Sequence, residues 1–243
     1  MIELKALKKS YGRNEVLKGI TADFSPGKVY GIIGENGAGK TTLFRCLAGL
    51  IVHEGTVKSG NPAFRHVLGL LQTNNYFFPK MTGREYLRLL CQARQIDPEN
   101  LDERNVFDLP LDEYAESYST GMQKKLALLG VLLQHNEVLI LDEPFNGVDI
   151  QSNIIITEII HELKRLGKTI LISSHIFSTL SATCDEIHLL REGRFIRSVT
   201  PSEYPELERE MIDVTVGDRI RRLGLGAVTA EQLLEEGNQY GAN

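Results

Sequence analysis

Gly34-Glu35-Asn36-Gly37-Ala38-Gly39-Lys40-Thr41 is the stretch on which the reading of the whole chain turns. Apolar residues 29–33 precede it, and Thr42-Leu43-Phe44-Arg45-Cys46-Leu47-Ala48 follow with helical character. Strand, glycine-rich turn and helix, in that order, form the setting of a phosphate-binding loop. Glycines at 34, 37 and 39 let the backbone turn tightly and aim successive amide hydrogens inward. The helix behind them adds its own unpaired N–H groups and its positive end. From this loop Lys40 can reach the β- and γ-phosphates of a nucleoside triphosphate, and the Thr41 hydroxyl can ligate Mg²⁺.

Working outward, Glu137-Val138-Leu139-Ile140-Leu141-Asp142-Glu143-Pro144 is the second strong signal. Four buried-type residues end in two adjacent carboxylates, and the proline stops the strand. Beside a phosphate loop, Asp142 at the end of a neighbouring strand is placed to hold Mg²⁺ through water. Glu143 is then placed to polarise the water that attacks the γ-phosphate, as a general base or a positioning group. A further strand at 168–173 leads into Ser174-His175. A lone histidine is most often structural. At the carboxyl edge of a parallel sheet its imidazole can instead meet the γ-phosphate or the attacking water.

Composition narrows the class. The 243 residues suffice for one sizeable α/β domain with a small subdomain. With 27 basic and 32 acidic residues and a net charge of −5, the chain has no global basic footprint, and no nucleic-acid partner is expected. Cys46, Cys91 and Cys184 are scattered without paired spacing, which points to a reducing compartment and to neither a disulfide framework nor a metal site. The start, Met1-Ile2-Glu3-Leu4-Lys5, does not read as a signal peptide, and no apolar run approaches the roughly 18 residues of a membrane span.

The rest of the chain is organised around these signals. Alternation at residues 2–6 and again at 15–24 predicts short strands ahead of the loop, an antiparallel flap to which residues 54–57 return. Tyr11-Gly12 falls in the loop between the first two. Residues 65–71 read as a core strand that delivers Gln72 at its end. From about 73 to 135 the chain is helical or irregular, a helical subdomain inserted in the α/β core. Its first helix is announced by a capping box at Thr82-Gly83-Arg84-Glu85. Tyr76-Phe77-Phe78 beside Pro79 is either core or an exposed docking surface. A helix at 151–166 presents Ile155, Ile159, Leu163 and Leu166 on its apolar side, and residues 187–190 with 195–196 form a closing hairpin. Residues 201–243 read as a small C-terminal appendage with a frayed end, after a main domain at 1–200.

Tyr118-Ser119-Thr120-Gly121-Met122-Gln123-Lys124-Lys125 then supports a family resemblance that covers roughly residues 2–197. The segment resembles the signature motif of the ATP-binding subunits of ABC transporters, in the form common among ABC-2 exporters. Ser119 and Gly121 open a helix and so supply a second anion-binding N-terminus. The resemblance implies a P-loop NTPase core with a mixed sheet, the antiparallel flap and the helical insert. It implies ATP and Mg²⁺ as cofactors, with Gly34, Asn36, Gly37, Ala38, Gly39, Lys40, Thr41 and Thr42 around the phosphates. Tyr11 corresponds to the adenine-stacking aromatic, and Gln72 to the glutamine that senses Mg²⁺ and the membrane partner. Ser119 and Gly121 correspond to the signature contacts on ATP, Asp149 to the aspartate that crosses the dimer interface, and His175 to the switch histidine. Lys40, Glu143 and His175 are the implied catalytic set, and Thr41, Gln72 and Asp142 the implied metal set. Thr120 stands where the family usually has glycine, and would be strained at positive φ.

The same resemblance implies partners and place. Each ATP lies between one subunit's Lys40 loop and the other's Ser119 segment in a homodimer or heterodimer. A transmembrane permease holds the subunits at the inner face of the cell membrane, on the cytoplasmic side. Soluble relatives that act in translation or nucleic-acid repair resemble tandem domains or carry long coiled insertions, for which this chain has no room. A P-loop GTPase or kinase would leave the Ser119 segment without a role, and no Asn-Lys-x-Asp guanine-reading motif is present. Cargo is left open, because the membrane partner selects it.

Overall fold

The computed structural model describes residues 1–212. The described residues divide into one compact unit at Met1–Ser198 and a second that begins at Val199. In the second, a 3-10 turn at Pro201–Glu203 runs into a helix at 204–212, with Thr200 and Glu203 forming a capping box. The frayed end expected near residue 243 lies outside the described residues.

The first unit opens with β1 (Ile2–Tyr11) and β2 (Asn14–Phe24), paired antiparallel. β1 is longer than the strand expected at 2–6, whereas β2 nearly coincides with the one expected at 15–24. Alternation holds through Leu4 and then breaks at Ala6, whose φ is 49°, so that Leu4 and Leu7 both point inward. A bulge of this kind resets the period and hides the second half of the strand from a pattern search. Tyr11 therefore ends β1 and pairs with Asn14 across a two-residue turn.

β3 (Val29–Ile33) is buried at every position and feeds the glycine loop, after which α1 (Lys40–Leu47) begins. β4 (Glu54–Ser59) returns to β1, completing a three-stranded antiparallel sheet in the order β2-β1-β4. Gly55 fits there because a Cβ would lie 2.3 Å from the Ala6 carbonyl oxygen of the bulge.

β5 (Leu68–Leu71) leads into the inserted segment. It contains α2 (Gly83–Gln92), with the expected Thr82/Glu85 capping box, and α3 (Thr120–Leu133). Between 72 and 137 the only β pairing among the described residues is the isolated bridge Thr82–Tyr114. Then follow β6 (Val138–Asp142), α4 (Ile150–Arg165), β7 (Thr169–Ser174) and α5 (Phe177–Ser181). β8 (Glu186–Arg191) and β9 (Arg194–Val199) come last. They make the closing hairpin, its turn formed by Glu192 and Gly193 at φ 45° and 79°.

The second sheet has six strands in the order β5-β6-β7-β3-β8-β9, and β5 through β8 run parallel. β6 and β7 are buried throughout, as parallel strands covered on both faces must be. Ile33 pairs with Ser174 and Asp142 with Ser173, so β3, β6 and β7 end level. Their following loops open at one edge, where α/β sheets bind ligands. The Glu192-Gly193 turn braces this edge: the Gly193 N–H donates to the Ala38 carbonyl at 3.2 Å, and its carbonyl accepts from the Lys18 N–H at 2.9 Å.

One helix face differs from expectation. α4 buries Ser152, Ile156 and Ile160, while Leu166 just past its end is 60% exposed. Isoleucines at 150, 154, 155, 156, 159 and 160 surround most of the helix, so periodicity alone does not select the inward stripe. Among the described residues no helix is long and apolar enough to cross a membrane.

Candidate nucleotide site

The loop at 34–39 is shaped by close approach as much as by turning. A Cβ at Gly34 would lie 2.3 Å from the Leu190 carbonyl oxygen. Gly37 and Gly39 take φ of 86° and 110°, a region that strains other residues. Gly39 caps α1 without any side-chain hydrogen bond, leaving the first amide groups of the helix free of a side-chain cap. Lys40, the first helical residue, curls back so that Nζ donates to the Gly34 carbonyl at 2.7 Å and to that of Glu35 at 3.3 Å. The same ammonium pairs with Glu143 Oε1 at 3.2 Å, both side chains being buried.

Asp142 and Glu143 face different partners. Asp142 Oδ2 accepts from the Thr41 hydroxyl at 2.7 Å and from the Thr73 hydroxyl at 2.5 Å. Its Oδ1 accepts from the Ser173 hydroxyl at 2.5 Å. Ser173 Oγ also accepts the Glu143 N–H at 2.9 Å, so one serine ties the two carboxylate residues together. Glu143 Oε2 lies 3.0 Å from His175 Nδ1. Glu143 takes φ 53°, a left-handed conformation that costs a side-chain-bearing residue roughly 1–2 kcal/mol. Such strain persists where the surroundings over-determine it.

These groups line a cleft of about 640 Å³. Its walls are the glycine loop with Lys40, Thr41 and Thr42, Asn14 and Val16 from β2, and Thr73, Glu143, Asn146 and His175. Among the residues singled out from sequence, the structure thus brings together the 34–42 segment, Asp142, Glu143 and His175. Gln72 follows β5 and is half-buried, but Thr73 beside it is the residue that reaches Asp142 and Thr41.

Four others lie away from the cleft lining. Tyr11 is 47% exposed, with Lys9 Nζ 5.0 Å above its ring centroid. Ser119 is the exposed N-cap of α3 and accepts the Met122 N–H at 3.3 Å. Gly121 packs so closely that a Cβ would sit 2.6 Å from the Gly147 carbonyl oxygen. Asp149 caps α4, accepting the Ser152 N–H at 2.9 Å and its hydroxyl at 2.8 Å, and pairs with Lys125 Nζ at 3.0 Å. The Ser152 amide and hydroxyl, and then Lys125, hold its carboxyl well below the usual range. Thr120 begins α3 without a positive φ, so threonine sits there unstrained.

Thr73, Ser173, Asn146 and Lys124 escaped the sequence reading as functional groups. Ser173 and Thr73 carried a usable signal, since each is a hydroxyl residue at or just past the end of a strand beside a suspected group. Lys124 carried none: buried inside α3, it donates to the carbonyls of Thr73 and Glu143.

The aromatic run alternates. Phe77 is buried against Tyr86 at 4.8 Å between ring centroids, while Tyr76 and Phe78 are 71% and 51% exposed and meet edge to face. Phe78, Pro79, Lys80 and Met81 line a shallow groove of about 490 Å³ together with Glu85, Arg88, Leu89 and Gln92 from α2.

Comparison with known proteins agrees with this layout. A family model described as ABC transporter matches residues 17–146. The chain is 32% identical over 217 residues to the Nod factor export ATP-binding protein I of Paraburkholderia xenovorans, covering 83% of this chain and 71% of that protein. It is 31% identical over 215 residues to the lantibiotic transport ATP-binding protein SrtF of Streptococcus pyogenes, covering 81% of this chain and 89% of that one. The ribose import ATP-binding protein RbsA of Bacillus subtilis is 28% identical over 242 residues, covering 90% of this chain and 49% of that protein. Among solved structures, an ATP binding subunit of an ABC transporter superposes with TM-score 0.72 at 25% identity, covering 97% of this chain and 98% of its own. A dimeric ATP-binding cassette bound to ADP and phosphate shares the fold at TM-score 0.75 and 20% identity, with 83% of this chain and 99% of its own covered. The family match spans the glycine loop, the Ser119 segment and both carboxylates, and on that ground the chain belongs to the ABC transporter family as an ATP-binding subunit.

Proposed function

We propose that this chain hydrolyses ATP, dimerises around Mg·ATP and drives translocation through a separate transmembrane permease, in the export direction and of the ABC-2 type. The observation that carries the catalytic part is the Lys40–Glu143–His175 chain across the cleft, with contacts of 3.2 and 3.0 Å. The donor set suits the cofactor. Hydroxyl and carboxylate oxygens of Thr41, Thr73 and Asp142 meet in one hydrogen-bonded cluster, and hard oxygen donors are what Mg²⁺ takes. The glycine loop offers amides and a cation where phosphates would lie.

When bound, Mg·ATP supplies the phosphoanhydride bond whose γ-phosphoryl group passes to water. Lys40 would exchange the Glu143 carboxylate for phosphate oxygens, which frees Glu143 to orient and deprotonate the attacking water. His175 holds the other Glu143 oxygen and keeps the carboxylate aimed. Asp142 and Thr41 would hold the ion, and Gln72 would sense it at the foot of the inserted segment. Tyr11 would stack on the adenine. Ser119 and Gly121 open α3 outward, which supports contact with a nucleotide held by a second subunit, and Asp149 lies next to that surface.

Transport in the export direction is supported by the name of the Nod factor export relative, against which the ribose importer stands. Exposed Tyr76 and Phe78 beside the α2 groove supply rigid apolar anchors for a permease segment. That contact would hold the subunit on the cytoplasmic face of the membrane.

The test is steady-state hydrolysis with sedimentation. Glu143→Gln should keep nucleotide affinity and lose turnover by on the order of 10²–10³-fold, the scale of a lost general base. The same variant should associate when Mg·ATP is added. Equal rates for the variant and the wild type, free of contaminating ATPase, would overturn the assignment.

A further inference from the structure

Lys124 lies near the start of α3, and only 4% of it is exposed. Its ammonium donates to two backbone carbonyls, that of Thr73 at 3.0 Å and that of Glu143 at 3.1 Å. These acceptors belong to opposite sides of the cleft chemistry. Thr73 follows β5 and gives its hydroxyl to Asp142; Glu143 follows β6 and meets Lys40 and His175.

Packing alone does not call for a lysine at this depth. Burial disfavours its charge, while Asp142 and Glu143 favour it. A long apolar residue such as methionine would fill the same space without taking a cation out of water. The strained Glu143 peptide gives the charge a use. Its N–H is held by Ser173, and its carbonyl receives both Lys124 and the Asn146 N–H, the latter at 3.2 Å. Lys124 is the clamp on that peptide that comes from α3, the helix Ser119 opens.

We infer that Lys124 is a positioning residue for hydrolysis: from α3 it fixes the Glu143 peptide, and with it the direction of the carboxylate, while holding the Thr73 hydroxyl on Asp142. The inference rests on the ATPase reading above. Lys124 touches no reacting atom, so its loss should appear in turnover and not in binding.

The experiment uses the full chain with Lys124→Met, Lys124→Gln and Lys124→Arg, measuring ATPase kinetics with Mg·ATP and calorimetric binding of ADP and a non-hydrolysable ATP analogue. In Lys124→Met, kcat should fall by about 10- to 100-fold, the scale of a misplaced catalytic group, while KM and both affinities stay within about threefold. Lys124→Arg, which retains charge and donors, should recover most of the rate. Unchanged kcat in both Met and Gln variants would overturn the inference, as would a loss of affinity matching the loss of rate. Should Lys124→Met fail to fold, Lys124→Gln decides by the same split, and a Gln variant that also fails to fold assigns the residue to the fold and ends the proposal. A wild-type rate insensitive to Glu143→Gln removes the ATPase reading and this inference together. Glu143-dependent turnover with unaffected Lys124 variants removes this inference alone.

Discussion

The helix after the glycine loop and the helices at Ser119 and Asp149 begin in opposite ways. α1 starts at Gly39 with no side-chain cap, and its first residue is a buried lysine turned back into the cleft. α3 and α4 start with their own caps, Ser119 on the Met122 amide and Asp149 on the Ser152 amide, and both caps face solvent. The first kind of start leaves its amides without a side-chain partner. The second is complete as it stands, and what it presents outward is a shaped surface. Around α1 the polar groups belong to one crossed network from four segments of the chain. At the outward starts of α3 and α4 they belong to local turns joined by Lys125 and Asp149, while Lys124, deeper in α3, joins the cleft network.

The largest break in this contrast should come from Lys40→Ala. Removing the one buried cation of the loop should weaken ATP binding by about 10- to 100-fold, as for loss of a charge-assisted hydrogen bond, and should lower the unfolding midpoint, because Glu143 loses its buried partner. Isothermal titration beside thermal unfolding checks both halves. An unchanged affinity would mean that the loop amides suffice.

Gly121→Ala probes the other side. Its Cβ would meet the Gly147 carbonyl at 2.6 Å, so the start of α3 must shift, at a cost of roughly 1–3 kcal/mol for an overpacked site. Denaturant unfolding should record that loss, and ATP-driven association in the Glu143→Gln background should weaken with it. Nucleotide affinity of the monomer should stay the same, and a matching fall there would erase the distinction between the two regions.

Thr73→Val removes one of the three hydroxyls on Asp142 while keeping shape. Turnover should drop by about three- to tenfold, and the Mg²⁺ concentration for half-maximal rate should rise, one neutral hydrogen bond being involved. The smallest effect belongs to Ser119→Ala. Loss of this cap should cost about 0.5–1 kcal/mol of stability, given the long 3.3 Å bond, with cleft affinity untouched.

What the sequence made legible follows the same division. Features set within a few residues were readable: the loop, the strand ending in Asp142-Glu143, His175 after β7, and the Thr82/Glu85 capping box. Features made by contacts between distant residues were not. Thr73 meets Asp142 across 69 residues and Ser173 meets it across 31; each stands at or just past a strand end, but that position alone does not name the partner. The β1 bulge at Ala6 broke the alternation from which strand length is read. The isoleucines around α4 supplied apolar residues on too many sides for a stripe to stand out. The Tyr76-Phe77-Phe78 run divides, with Phe77 buried and Tyr76 and Phe78 exposed, and its local sequence does not say which ring turns inward.

The Glu192-Gly193 turn has a practical consequence. Hairpin tips are where tags, protease sites and new termini are usually tolerated. Here the tip is bonded to Ala38 of the phosphate loop and to Lys18, and a Cβ on Gly193 would strike the Val16 carbonyl at 2.2 Å. An epitope spliced between β8 and β9 would thus push on the floor of the nucleotide cleft from behind, although it sits far along the chain from residue 38. Labels meant to leave the ATP site alone belong elsewhere on the surface.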